Sequence, residues 1–226
     1  MKKDLAFSVP TASRTHILRP VIKTIVGDLT NKRLLDVGCG NGYWTRFFSK
    51  AGASCTGIDI KTSQIESAKK EHDGNRYLVA DAQTFRSKES FDVIYLDHVL
   101  SEQKSKAAML KILKNLRKIL VDDGIFILSE MHPAVAHFPI AVTTERNYFY
   151  FKSPSKFVFD VKRSDDTYAQ VTDYHWTLTD YAELFVKSGF VIENMVEPRL
   201  SKRTKDAYLR VRAQYPTHLI FKLRAN

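Results

Sequence analysis

The chain has 226 residues, 44% of them hydrophobic and 27% charged, which is ordinary globular composition and enough for one large core, so 1–226 reads as a single domain. Lys and Arg number 35 against 25 Asp and Glu, a formal charge of +10, and the two cysteines, Cys39 and Cys55, are too few for a disulfide framework or a cysteine zinc site. The opening MKKDLAFSVPTAS is interrupted by Asp4 and by polar residues before an apolar signal region forms, and no run approaches the roughly 18 apolar residues of a membrane span. The expectation is a soluble cytoplasmic protein with no membrane partner.

From Lys32 onward strands alternate with helices, the pattern of a parallel sheet covered on both faces. Arg33 to Val37 predicts a strand and Tyr43 to Lys50 a helix that stops at Gly52. Ser54 to Ile60 follows as a strand, and then a helix opened by a capping box of Ser63 with Glu66. Arg76 to Ala80 and Phe91 to Leu96 are the third and fourth strands. Met109, Ile112, Leu113, Leu116, Ile119 and Leu120 recur at helical spacing, and Asp123-Gly124 turns the chain into a fifth strand, Ile125 to Ser129.

After Met131 the pattern changes. Asn147 to Lys152, Lys156 to Lys162 and Tyr168 to Trp176 are aromatic and β-branched, separated by Ser153-Pro154-Ser155 and Ser164-Asp165-Asp166, and predict an antiparallel meander inserted over 132–178. Its aromatic residues suit a lid over a site as well as a small second core. Thr179 or Asp180 then caps a helix over Tyr181 to Ser188, Gly189 closes it, and strands at Phe190 to Val196 and Thr217 to Leu223 complete the chain.

Gly38, Gly40 and Gly42 lie between the first strand and its helix, where glycine lets backbone approach a ligand. Their G-x-G-x-G spacing differs from the G-x-G-x-x-G of dinucleotide sites, and no Lys-Ser or Lys-Thr pair follows to hold a triphosphate. Asp36, Asp59 and Asp81 end three successive strands, so all three fall near one crevice at the carboxyl edge of the sheet.

With LLDVGCGNGYWT at Leu34 to Thr45, GIDI at Gly57 to Ile60 and VADAQTF at Val79 to Phe85, the chain resembles the class I S-adenosylmethionine-dependent methyltransferases, in particular the small-molecule group with the pattern LDVGCGxG. The resemblance implies a Rossmann-like α/β fold with a seven-stranded, mostly parallel sheet of order 3-2-1-4-5-7-6, the last strand antiparallel, helices on both faces and the β insertion after the fifth strand. It implies S-adenosylmethionine as cofactor and S-adenosylhomocysteine as product; the sequence offers no obvious acid cluster for the magnesium of catechol-type enzymes, so no metal is expected. On this resemblance Asp36 lies near the methionine moiety, Asp59 accepts the ribose hydroxyls, and Asp81 accepts from the adenine amino group while Ala82 N–H donates to the ring. Gly38, Gly40, Gly42, Ile60 and Asp97 complete the implied cofactor set.

Methyl transfer is an in-line displacement that requires alignment, exclusion of water and, for some acceptors, removal of a proton. Candidate bases are led by His132 in LSEMHP, with Glu130 beside it, and His175 in DYHWTLTDY, whose backbones Pro133 and the following helix start fix near the expected cleft; His98 in IYLDHVLSEQ, with Asp97 beside it, is the third. Each suits a capping or packing role equally well. The fourth strand ends in LDHV rather than the Asn or Asp with Pro-Pro-Tyr or Pro-Pro-Phe of nucleobase amino methylation, and neither cysteine resembles a pyrimidine nucleophile. The leading expectation is methylation of oxygen or nitrogen on a small acceptor, anionic or aromatic. Two alternatives stay open. One is an RNA methyltransferase using the basic 199–212 stretch, where six cations face one acid, Asp206; the other is a protein that binds S-adenosylmethionine without turnover.

Overall fold

Strands rich in branched residues and closed by Gly or Asp turns build the centre of the protein, and most are buried on both faces. The computed structural model describes residues 11–135, 149–163, 165–200 and 205–226. A π-helical turn, Arg14–Leu18, runs into α1 (Arg19–Val26), followed by β1 (Arg33–Val37), α2 (Tyr43–Lys50), β2 (Ser54–Asp59), α3 (Thr62–Lys69), β3 (Arg76–Val79) and β4 (Phe91–Asp97). Then come α4 (Lys106–Arg117), β5 (Leu120–Met131), β6 (Ser155–Lys162), β7 (Tyr168–His175), α5 (Leu178–Lys187), β8 (Phe190–Val196), α6 (Ala207–Arg212) and β9 (His218–Ala225).

The main sheet has the order β3-β2-β1-β4-β5-β9-β8, and β6 pairs with β7 as a separate two-stranded sheet. The first five strands run parallel, while β9 runs antiparallel to both β5 and β8. Leaving out the β6–β7 pair, this is the expected order 3-2-1-4-5-7-6. Alternation along the strands divides the core. Leu34, Val93, Tyr95, Ile125, Ile127 and Ile220 face α1 and α2 with Ile22, Trp44 and Phe48. Leu35, Ile94, Leu96, Phe126, Leu128 and Phe221 face α4 and α5 with Leu113, Leu116 and Phe185. Among the described residues no helix is long and apolar enough to cross a membrane.

Several local expectations are corrected. Ser63 does not cap α3; Lys61 occupies that place without a side-chain bond, and Ser63 lies inside the helix. Ile119 and Leu120 follow α4 rather than belonging to it, because α4 ends at Arg117 and Leu120 begins β5. Asp123-Gly124 is a register irregularity inside one continuous strand, where Leu120 pairs with Phe91 and Ile125 with Val93. The cap of α5 is Thr177, whose Oγ1 accepts from Asp180 N at 3.1 Å while the Asp180 carboxylate accepts from Thr177 N at 2.9 Å. The meander reduces to the β6–β7 hairpin, since 149–152 forms a turn; Asn147 and Tyr148 lie outside the described residues.

Two buried carboxyls tie the carboxyl edge of the sheet together. Asp36 Oδ2 accepts from Thr45 Oγ1 at 2.6 Å, joining β1 to α2. Glu130 accepts from Leu100 N at 2.8 Å and Ser101 N at 3.2 Å, fixing the loop after β4 to the end of β5. Burial pushes Asp36 up to about 7 and Glu130 up to about 8.

A carboxyl that keeps its proton to higher pH when folded stabilises the fold below its unfolded pKa, and that contribution is lost as pH rises through the folded value. Asp36→Asn keeps an acceptor for Thr45 and has no charge to bury. Its stability relative to the wild type is expected to improve as pH rises from about 4 to about 7, measured by urea denaturation at several pH values. A difference that stays constant across this range would show that Asp36 is not held protonated.

Candidate active site

The loop from β1 to α2 begins the site. Gly38 and Gly42 adopt left-handed backbone, φ 69° and 84°. A Cβ at Gly38 would fall 2.4 Å from Val99 Cγ2, and one at Gly42 would fall 2.5 Å from the Tyr77 hydroxyl. The glycines therefore let the loop sit against two neighbouring strand ends. Asp59 then fastens it, accepting from Gly40 N at 3.0 Å and Lys61 N at 2.8 Å.

A cavity opens over this loop along the carboxyl ends of β1, β2, β3 and β4. Of the implied cofactor set, Gly38, Gly40, Asp59, Ile60, Asp81, Ala82 and Asp97 line it. Asp36 and Gly42 do not: Asp36 is buried behind the loop on Thr45, and Gly42 begins α2. Lys61, Gln64, Gln103 and Glu102, not singled out by sequence, also line it. Ile60 is 65% exposed, and with Ile58, Ala80, Ala82 and Ile112 it gives the cavity an apolar side opposite its carboxylates.

Asp97, the last residue of β4, is buried at the inner end of this cavity. Its Oδ2 accepts from Arg14 Nε at 2.9 Å and Trp44 Nε1 at 2.9 Å, while Oδ1 has no hydrogen-bond partner. Burial works against its charge, but Arg14, His98 and Trp44 together hold the carboxyl below its ordinary value. These features suit adenosylmethionine: Asp59 and Asp81 would take its ribose and adenine donors, and the orphan oxygen of Asp97 has an acceptor site for an ammonium.

His98 follows directly, with a left-handed backbone, φ 56°, fixed by its N–H on Ser129 O at 2.9 Å. Strained residues of this kind concentrate at functional sites. The His98 and His218 rings meet edge to face at 5.6 Å, and Thr217 Oγ1 lies 2.8 Å from His218 Nδ1. Burial lowers both histidines, His218 to about 3, so both imidazoles are neutral near pH 7. His218 was not apparent from motif reading. A signal existed, because an antiparallel last strand must start at the edge where parallel strands end; His218 pairs with Met131, the last residue of β5.

A second pocket adjoins the first and shares Arg14, His98 and Glu102 with it. Its other walls come from Thr11 and Ser13, Met131 and Val135, the hairpin residues Phe159, Val161, Val171 and Asp173, and Tyr208, Arg212 and His218. The β6–β7 hairpin thus forms part of the wall of this pocket. His132 and His175 lie elsewhere, around a small space with Phe157 and Trp176. His132 Nε2 is 3.0 Å from Glu197 Oε1, and His175 Nε2 is 2.7 Å from Tyr150 O. Among the three candidate bases only His98 borders both larger cavities.

In the basic stretch, Lys202 and Arg203 lie outside the described residues. Asp206 caps α6 and pairs with Lys162 at 2.8 Å, and Arg212 turns inward with its guanidinium 3.4 Å from the Tyr208 ring centroid.

Residues 12–194 match the family model for a methyltransferase domain. A ubiquinone biosynthesis O-methyltransferase from Actinobacillus pleuropneumoniae serotype 5b is 28% identical over 141 residues, 56% of this chain and 59% of that protein. One from Glaesserella parasuis serovar 5 is 25% identical over 186 residues, 71% and 78% of the two chains. The chain thus spans well under two thirds of the first of these relatives. The crystal structure of an S-adenosylmethionine dependent methyltransferase from Mesorhizobium loti has a TM-score of 0.71 at 20% identity, covering 91% of this chain and 96% of that one. The CcbJ methyltransferase from Streptomyces caelestis has a TM-score of 0.68 at 10% identity, covering 92% and 88%. At these identities the structural likeness is one of fold. The family match over most of its length, on a sheet of this order, means that the chain belongs to the methyltransferase domain family of class I S-adenosylmethionine-dependent methyltransferases.

Proposed function

We propose that this protein transfers a methyl group from S-adenosylmethionine to a hydroxyl oxygen of a small acceptor held in the second pocket. The observation that carries this reading is the wall shared by the two cavities, in which Arg14, His98 and Glu102 border donor and acceptor spaces at once. When bound, S-adenosylmethionine supplies a methyl group on a sulfonium, displaced in line by the acceptor oxygen. Oxygen is favoured over nitrogen because the first curated relatives are named O-methyltransferases and because a buried neutral imidazole suits removal of a hydroxyl proton.

Each residue then has a defined task. Asp59, Asp81 and Ala82 hold the adenosine half, and Gly38 and Gly40 let the backbone approach its methionine half. Asp97 accepts the ammonium through its orphan oxygen. His98 takes the acceptor proton on its imidazole, and the ionised Asp97, with Nε2–Oδ1 at 3.8 Å, favours the cation so formed. The apolar hairpin face excludes water. An RNA acceptor gains less support, since Arg212 and Asp206 of the basic stretch are engaged with Tyr208 and Lys162.

Asp59→Ala is expected to weaken S-adenosylhomocysteine binding more than about tenfold, the effect of losing charge-assisted bonds. Calorimetry on folded variant protein reads this, and an unchanged affinity would remove Asp59 from the cofactor site. On a hydroxyl acceptor that supports turnover, His98→Ala is expected to slow single-turnover methylation by roughly a hundredfold or more while keeping cofactor affinity. His132→Ala and His175→Ala should leave that rate within a few-fold of wild type. The reverse ranking would transfer the base role to one of them.

A further inference from the structure

One residue in the second pocket is out of keeping with its surroundings. On the β6–β7 hairpin, Phe157 pairs with Asp173, Phe159 with Val171 and Val161 with Ala169, so these six side chains share one face of the pair. Five are apolar, and Asp173 alone is charged. It is 1% exposed and lines the pocket; neither carboxylate oxygen makes a well-formed hydrogen bond, and the nearby Ser101 hydroxyl eases its charge only in part. An unsatisfied carboxylate in an apolar row is costly to the fold and is retained where a ligand completes it.

The neighbours sharpen the requirement. Glu102 borders the same pocket, and burial there raises its own pKa. Burial, then the Glu102 charge, pushes Asp173 up to about 7, which signals a site short of positive charge. The two arginines of the pocket do not supply it. Arg14 is held by Asp97 at 2.8 Å, and Arg212 stacks on Tyr208. Although the whole chain is basic, the acids Glu102, Asp160 and Asp173 outnumber Arg14 and Arg212 in the lining of this pocket.

We propose that the acceptor is an amine-bearing hydroxyl compound whose ammonium group seats between Asp173 and Glu102, with its apolar body against Phe159, Val161 and Val171. The inference rests on reading this pocket as the acceptor site, and it replaces the anionic acceptor expected from net charge. Asp173 is then a residue that sets specificity. It orients the acceptor so that the hydroxyl meets His98 on the shared wall.

Three probes with a common phenol and ring test the idea: tyramine, tyrosol and 4-hydroxyphenylacetate, which carry an ammonium, a neutral hydroxyl and a carboxylate. Binding is measured by calorimetry at pH 8 to the full chain, with and without saturating S-adenosylhomocysteine. Tyramine is expected to bind at least about tenfold more tightly than either of the others. Asp173→Asn should reduce that preference to about twofold or less while its S-adenosylhomocysteine affinity stays at the wild-type value and its melting temperature at pH 8 is equal or higher, since no charge is then buried. Glu102→Gln should narrow the preference without abolishing it. Equal binding of all three, tighter binding of the carboxylate, a preference untouched by Asp173→Asn, or no binding of tyramine would each overturn the proposal. Failure of S-adenosylhomocysteine to bind would instead overturn the donor-site reading, and the tyramine preference of the unliganded protein would still decide the acceptor question.

Discussion

A carboxylate buried at the end of β4 must be neutralised and hydrogen-bonded from several directions at once, or the cost of removing it from water is not recovered. Asp97 meets that demand with Arg14 from the π-helical turn before α1 and Trp44 from α2. These contacts bring an N-terminal segment, the glycine-loop helix and a central strand to one point. Trp44 also packs on Phe48 and Tyr95, ring centroids 5.9 and 5.1 Å away, so the polar junction is backed by a rigid aromatic cluster. Both cavities are defined from this junction. The cavity we propose for the methyl donor and the pocket we propose for the acceptor share Arg14 in their walls.

Electrostatics differ sharply across that boundary. Around Asp97 one acid is surrounded by a guanidinium, an indole N–H and two imidazoles, and it stays ionised. Around Asp173 burial and then the Glu102 charge outweigh the help of the Ser101 hydroxyl, so the proton is held to about neutral pH. The same residue type therefore serves as a fixed anion in one place and as a group awaiting a partner a short distance away. His98 lies between these regimes. It is neutral because burial outweighs the attraction of Asp97, which suits a group that must gain a proton and then lose it.

Much of the fold was legible in the sequence because double-sided burial makes continuous apolar strands, and Gly or Asp turns punctuate them. The grouping of Gly38, Gly40, Asp59 and Asp81 around one cavity was legible for a related reason: they sit at fixed offsets from strand ends, so local order specifies spatial order. Asp36 and Gly42 belong to the same motif but support the loop from behind, a distinction that depends on which side of the strand end each side chain leaves. Helix caps were less legible. Ser63 has the right chemistry, yet α3 starts two residues earlier than a Ser63 cap would place it, and Asp180 is the reciprocal partner of Thr177 rather than the cap. Aromatic content at 149–152 suggested a third insertion strand, but β propensity describes a side chain's fit to a sheet and does not supply a neighbouring strand. His218 and Asp173 escaped because neither lies in a motif. One reaches the cleft through the antiparallel course of β9, the other through hairpin register.

The reversed direction of β9 also separates the two halves of the site in chain order. Apart from Arg14, the donor cavity is assembled within residues 37–112, from consecutive strand–helix units. The acceptor pocket gathers Thr11, His98, Met131, Val171 and His218, and it closes only when the last strand has threaded between β5 and β8. Contacts of such long sequence separation carry a greater loop-closure cost than those within one strand–helix unit. On the function proposed above, a substitution on the hairpin or at the start of β9 changes the lining of the acceptor pocket and leaves the lining of the donor cavity as it was.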